Sequence, residues 1–276
     1  MGRICTFIPL LLKIFCNIKI VFCEHSSVYE YTFFKEKFKS KITRKIFNYL
    51  INTQADKIVF LTNNELKIYN KNKNKTMTIY NFIDDQLLCK SCRYNLRSKR
   101  IITVGRIEYG KGIDILIEVA KIVFSKYNDW QWDIYGTGEQ EYISKINTLI
   151  ELYGLKDNVH LKGECRNIYN KYSNYSMFVF TSRFEALPTV LLEAKAKRLP
   201  IVSFNINSGP SEIVIKNVNG YLVKPFDYNK MAQKICGLIE KPELRLYFSN
   251  NAYENIDKFT KATVIKKWRD LIDEIL

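Results

Sequence analysis

The segment Ser182 to Glu193, SRFEALPTVLLE, holds two carboxylates, Glu185 and Glu193, with seven residues between them. Pro188 fits the first turn of a helix, where a missing N–H costs nothing, and TVLLEAKAKR continues as good helix sequence. The free N–H groups of a helix start attract anions. One acid would then stand at the mouth of an anion site and the other two turns inside, which suits a phosphorylated ligand. Glu193, set among Leu191, Leu192 and Ala194, suits a buried hydrogen-bond acceptor better than a general acid. The plainer alternative is a surface ion pair with Lys197 at i+4.

Other polar residues also follow apolar runs. Arg106 and Lys111 lie in GRIEYGKG after IITVG; either one offers a bidentate fork and the other a point charge to phosphate, or the segment is a solvated loop in a Lys-rich protein. Gly136 and Gly138 bracket Thr137 after WQWDIY, where they either admit a ligand or make a tight turn; the third glycine of a dinucleotide fingerprint is missing. His160, inside an apolar strand, reads as structural. Pro210 starts another helix after PIVSF.

The elements that position these residues alternate. IKIVFC, DKIVFLT and TMTIY read as strands before residue 85, and QLLCKSCRYNLRSK as a linker. From Arg100 onward, strands IITVG, WQWDIYG, NVHLKG, SMFVFT, PIVSF and GYLV are separated by helical segments, NIYNKYSN being a short one. Three helices close the chain, near 228–239, 242–255 and 260–275. Continuous apolar strands between helices imply parallel sheets covered on both faces, with ligands at the carboxyl ends. The expected division is 1–90, 91–260 and a final helix over 261–276 packing back toward the first domain.

Composition narrows the class. The 276 residues are 47% hydrophobic and 26% charged, as in a globular protein. Lys and Arg number 43 against 28 Asp and Glu, a net charge of +15 that attracts anions. No nucleic-acid motif accompanies the charge, so no nucleic-acid partner is expected. The densest run, Lys35 to Lys45, has Phe34, Phe38, Ile42 and Ile46 at helical spacing. It is either a helix on an anionic membrane surface or an ordinary solvated helix. Seven cysteines, several in apolar settings, fit buried thiols in a reducing compartment, and the lone Cys89–Cys92 pair is weak evidence for zinc. Lys13 and Lys19 interrupt the apolar N-terminus, which reads as a buried helix and a strand. The expected location is cytoplasmic, with any membrane contact peripheral at the inner face.

In order, VGRIEYGKG, IYGTGEQ, VHLKGE, SRFEALPTVLLEAKAKRLPIVSF, SGPSEIV and NGYLV resemble the retaining glycosyltransferases of family 4. That resemblance implies the GT-B architecture, two facing Rossmann-like domains, here α/β with parallel sheets and an N-terminal domain that looks incomplete. It implies transfer of a hexose or N-acetylhexosamine from a UDP-sugar to a polysaccharide, lipopolysaccharide or lipid-linked oligosaccharide acceptor. Arg106 and Lys111 would hold the donor diphosphate, Glu185 would contact the donor sugar, and Glu193 the ribose. Ala186, Leu187 and Pro188 would add backbone contacts to phosphate, Gly136 and Gly138 would border the nucleotide, and His25 would face the cleft. No cofactor or metal is expected. The glycine-rich loop usual after the first strand is not seen, so an impaired nucleotide-sugar-binding remnant stands as the alternative.

Overall fold

The structure is a computed structural model and describes residues 13, 18–25, 27, 49–69, 73–88 and 94–276. The basic segment 35–45, the N-terminal helix and the Cys89–Cys92 pair lie outside the described residues. The chain divides into two compact units: residues 1–82 with 185–187 and 257–276, and residues 83–184 with 188–256.

The first unit is built on a three-stranded parallel sheet. Strands β1 (Val21–Glu24), β2 (Lys57–Phe60) and β3 (Thr76–Thr78) lie in that order, Val59 opposite Cys23 and Met77. Side chains alternate between the faces of β2. Ile58 and Phe60 pack with Ile51 and Ala55 on one face. Val59 packs with Ile79 on the other, against Val264 and Leu271. Those last two, seven residues apart, share one side of the C-terminal helix Lys261–Ile275. Thr260 caps its start, accepting from the N–H of Thr263. Between β2 and β3 runs α1 (Asn63–Tyr69).

The second unit has six parallel strands in the order β6-β5-β4-β7-β8-β9. They are β4 (Arg100–Val104), β5 (Gln131–Tyr135), β6 (Val159–Gly163), β7 (Met177–Phe180), β8 (Ile201–Phe204) and β9 (Gly220–Val223). Helices α2 (Ile113–Phe124), α3 (Gln140–Leu152), α4 (Thr189–Ala196), α5 (Pro210–Ile213), α6 (Tyr228–Glu240) and α7 (Pro242–Asn250) connect or cover them, and Lys261–Ile275 is α8. Leu116, Trp132, Val179, Phe204 and Met231 are fully buried in one continuous core. The α/β class with parallel sheets matches the expectation from the sequence.

Two local expectations are corrected. Pro188 is not in the first helical turn: it is extended (φ −74°, ψ 98°) and caps α4, so Glu193 lies one turn inside the helix rather than two. NIYNKYSN is not one helix but two 3-10 turns, Ile168–Asn170 and Tyr172–Asn174. Tyr172 is buried within the second turn.

Candidate functional site

The strand order fixes where a ligand can sit. From β4 the chain steps outward through β5 to β6, and from β7 it steps the other way through β8 to β9. The two directions diverge between β4 and β7, and at such a switch point the loops part and leave a crevice at the carboxyl ends. The loop after β4 carries Arg106 and Lys111; the segment after β7 carries Glu193.

These two loops are joined by specific bonds. Thr181 Oγ1 donates to Gly112 O at 3.0 Å, and Arg183 N to Gly110 O at 2.9 Å. Gly112 is left-handed (φ 64°), and a Cβ there would lie 2.1 Å from Thr181 O, so only glycine allows the approach. The Arg183 guanidinium forks onto Asp114 (2.8 and 2.7 Å) and donates to Tyr109 O at 2.6 Å, stacked 3.8 Å from the Tyr109 ring centroid. Burial pushes the Asp114 carboxyl up, but the bonds and charge of Arg183, with the Tyr142 hydroxyl, hold it below its ordinary value. Sequence reasoning passed over Arg183, although it lies inside the SRFEALP segment.

Arg106 is exposed and pairs with Glu108 at 3.0 Å. The Lys111 stem runs over Gly105, whose Cβ would meet Lys111 Cγ and Cδ at 3.8 Å. Beyond the strand ends the β4 and β5 loops keep pairing, with Ile107 N donating to Thr137 O at 2.8 Å. Cβ atoms at Gly136 and Gly138 would sit 1.9 Å from the carbonyl oxygens of Gly105 and Ile107. The pair of glycines is therefore required by contact between two loops. Gly136 also borders a cavity of about 230 Å³ with Gly105, Arg106, Tyr135, Glu164 and Cys165, at the ends of β4, β5 and β6.

Glu193 is half-buried on α4 and accepts a hydrogen bond from the Tyr172 hydroxyl at 2.9 Å. Burial raises its carboxyl above the ordinary value, and the Tyr172 bond offsets part of that rise. Burial and the Glu193 charge together push the Tyr172 hydroxyl well up, so it stays protonated and donates. Among the described residues no ion pair joins Glu193 to Lys197. Tyr172 gave no sequence signal beyond lying in a short turn.

Ala186, Leu187 and Pro188 are buried, and Glu185 before them is half-buried. Glu185 to Leu187 belong to the first unit. His25 is exposed, directly after β1. His160 sits on β6 with Nδ1 3.2 Å from the buried Asp133, which also accepts from Tyr175 (2.7 Å) and pairs with Arg100. That network satisfies a buried carboxylate inside the sheet.

Residues 90–255, which hold the Arg106–Lys111 loop, the cavity and Glu193, match the model of the glycosyl transferases group 1 family. The chain belongs to that family. An uncharacterized glycosyltransferase of Haemophilus influenzae is 30% identical over 257 residues, 93% of this chain and 70% of that protein. The poly(ribitol-phosphate) alpha-N-acetylglucosaminyltransferase of Staphylococcus aureus is 31% identical over 239 residues, 86% of this chain and 46% of that enzyme. Among solved structures, a TarM variant from S. aureus in complex with fondaparinux, alpha-GlcNAc-glycerol and UDP superposes with a TM-score of 0.78 at 29% identity. It covers 92% of this chain and 50% of TarM, so this group 1 chain spans about half of that enzyme. Anabaena HepE superposes with a TM-score of 0.83 at 18% identity, over 97% of this chain and 74% of HepE, a likeness of fold. Among the described residues no helix is long and apolar enough to cross a membrane.

Proposed function

We propose that this group 1 chain is a retaining glycosyltransferase of family 4 that moves a hexose or N-acetylhexosamine from a UDP-sugar to a polysaccharide, lipopolysaccharide or lipid-linked oligosaccharide. The observation that carries the reading is the switch point: a cationic loop after β4 and a half-buried carboxylate after β7 flank the divergence of neighbouring parallel strands. UDP in the TarM complex and the activity named for the S. aureus relative support the donor and acceptor classes.

In this reading Glu193 accepts the ribose hydroxyls, and Tyr172 holds the carboxylate for them. Arg106 leaves Glu108 for the donor diphosphate, and Lys111 adds a second cation. Their charges stabilise the diphosphate as it departs, so the chain's own cations meet the developing charge. Glu185 contacts the transferred sugar, and the N–H groups around Ala186 to Pro188 contact phosphate. The bond from the anomeric carbon to the diphosphate oxygen breaks, the acceptor hydroxyl attacks from the face the diphosphate left, and its proton passes to the departing diphosphate, so the anomeric configuration is kept. His25 acts on the acceptor side.

The test is transfer from labelled UDP-glucose and UDP-N-acetylglucosamine to glycerol- and ribitol-phosphate acceptors, with the product anomer read by NMR. An α-linked product is expected, and Glu185→Ala should abolish transfer while UDP still binds. A β-linked product, or full turnover in Glu185→Ala, overturns the assignment. UDP binding without transfer or donor hydrolysis would indicate an impaired nucleotide-sugar-binding remnant.

A further inference from the structure

A second concavity lies on another part of the same unit. Helix α6, the end of α2 and the start of α7 enclose a groove of about 480 Å³, within the size range of small-ligand sites. It shares no residue with the cavity beyond β4. Lys126, Lys230, Lys234 and Lys241 line it, against one carboxylate, Glu240, which accepts from the Tyr127 hydroxyl. Among the described residues none of these four lysines makes an ion pair. Lys230 bonds the neutral Gln233 at 2.7 Å, and Lys234 lies over the Tyr221 ring, 4.2 Å from its centroid.

Two features mark the groove as more than a solvated basic face. First, Lys234 is one turn from Lys230 on α6, where like charges repel. Burial, then repulsion from Lys230 and Lys216, holds its ammonium below the ordinary value. An anion between these lysines would relieve that repulsion. Second, Gly237 lines the groove in the interior of α6, where a Cβ would meet nothing within 4 Å. Glycine costs helix stability there, and no packing contact requires it.

We propose that this groove binds a phosphate or diphosphate group, with Lys126, Lys230, Lys234 and Lys241 as its cationic walls. Two sources carry that chemistry: a free phosphorylated metabolite and a phospholipid headgroup.

The test uses inorganic pyrophosphate with the whole chain. Calorimetry on the wild type and on Lys230→Gln/Lys234→Gln, combined with acetylation footprinting by mass spectrometry, locates the binding. Pyrophosphate should protect Lys230 and Lys234 but not Lys156, an exposed lysine paired with Glu151. The double variant should lose roughly tenfold or more of that affinity, the scale of removing charge-assisted bonds. Its affinity for UDP should be unchanged, which separates this site from the proposed donor site. Equal protection of Lys156, or unchanged pyrophosphate affinity in the double variant, overturns the proposal. Phosphatidylglycerol vesicles distinguish the sources. Sedimentation that pyrophosphate reverses assigns a lipid headgroup, and pyrophosphate binding without sedimentation assigns a free anion. Sedimentation without any pyrophosphate binding overturns the groove as a phosphate site.

Discussion

The hydroxyl of Tyr172 donates to Oε2 of Glu193 at 2.9 Å. This bond ties the turn before β7 to the helix after it, across 21 residues of sequence. Tyr172 itself is fully buried. A half-buried carboxylate held by one neutral donor is oriented without being neutralised, as a hydroxyl-binding acceptor should be.

Tyr172→Phe keeps the ring and removes the donor. A hydrogen bond to a charged group contributes about 1.5–3 kcal/mol. On the proposed donor reading, UDP affinity should fall roughly tenfold or more, and KM for the donor should rise more than kcat falls. Calorimetry and donor kinetics check this. A lower unfolding temperature with unchanged UDP affinity in the folded variant would leave Tyr172 a packing residue only.

Glu193→Gln should stabilise the fold at neutral pH. The Glu193 carboxyl is raised by burial, so the folded chain holds its proton more tightly than the unfolded chain does. Below about pH 4 both states are protonated and the substitution should be neutral. As pH rises through the raised value, ionisation costs stability in the wild type, whereas the substituted chain carries an amide that does not ionise. Thermal unfolding at pH 4 and pH 7 should therefore show a gain only at the higher pH, together with weakened UDP binding.

Gly136→Ala should be far more costly than Gly154→Ala. Both positions have positive φ, but a Cβ at Gly154 meets nothing within 4 Å, whereas one at Gly136 would lie 1.9 Å from Gly105 O. The Gly154 substitution should cost about 1–2 kcal/mol, the strain of a left-handed residue. The Gly136 substitution should exceed about 3 kcal/mol, because the β4 and β5 loops must separate. Denaturant unfolding measures both.

Arg183→Ala should destabilise by about 3 kcal/mol, since it leaves Asp114 partly buried without its charged partner, with the Tyr142 hydroxyl still donating to it. The depressed Asp114 carboxyl stabilises the fold above its unfolded value, near pH 4, and that stability is lost as pH falls through the lower folded value. The variant should therefore lose stability mainly above about pH 4, and its acid-unfolding limb should flatten. An Arg183→Ala/Asp114→Asn cycle measures the coupling.

Much of this architecture is legible in the sequence because buried parallel strands read as apolar runs, as in MFVF and IVSF, both wholly buried. Contacts that depend on the folded chain are not legible in that way. Glu193 has a near neighbour of opposite charge in Lys197, yet its partner is Tyr172, brought there by the path through β7. The GTG segment shows its glycines plainly, but the need for them is set by the carbonyls of Gly105 and Ile107 on a neighbouring loop. Pro188 fixes its own φ but not its place: it lies just outside α4 because its ψ of 98° is extended.

The most direct test of the proposed donor site is UDP calorimetry on the wild type and on Glu193→Ala. Saturable binding of UDP in the wild type, weakened at least roughly tenfold in the variant while the fold persists, is the predicted result. Equal UDP affinity in the two proteins, or no UDP binding by the wild type, would contradict it.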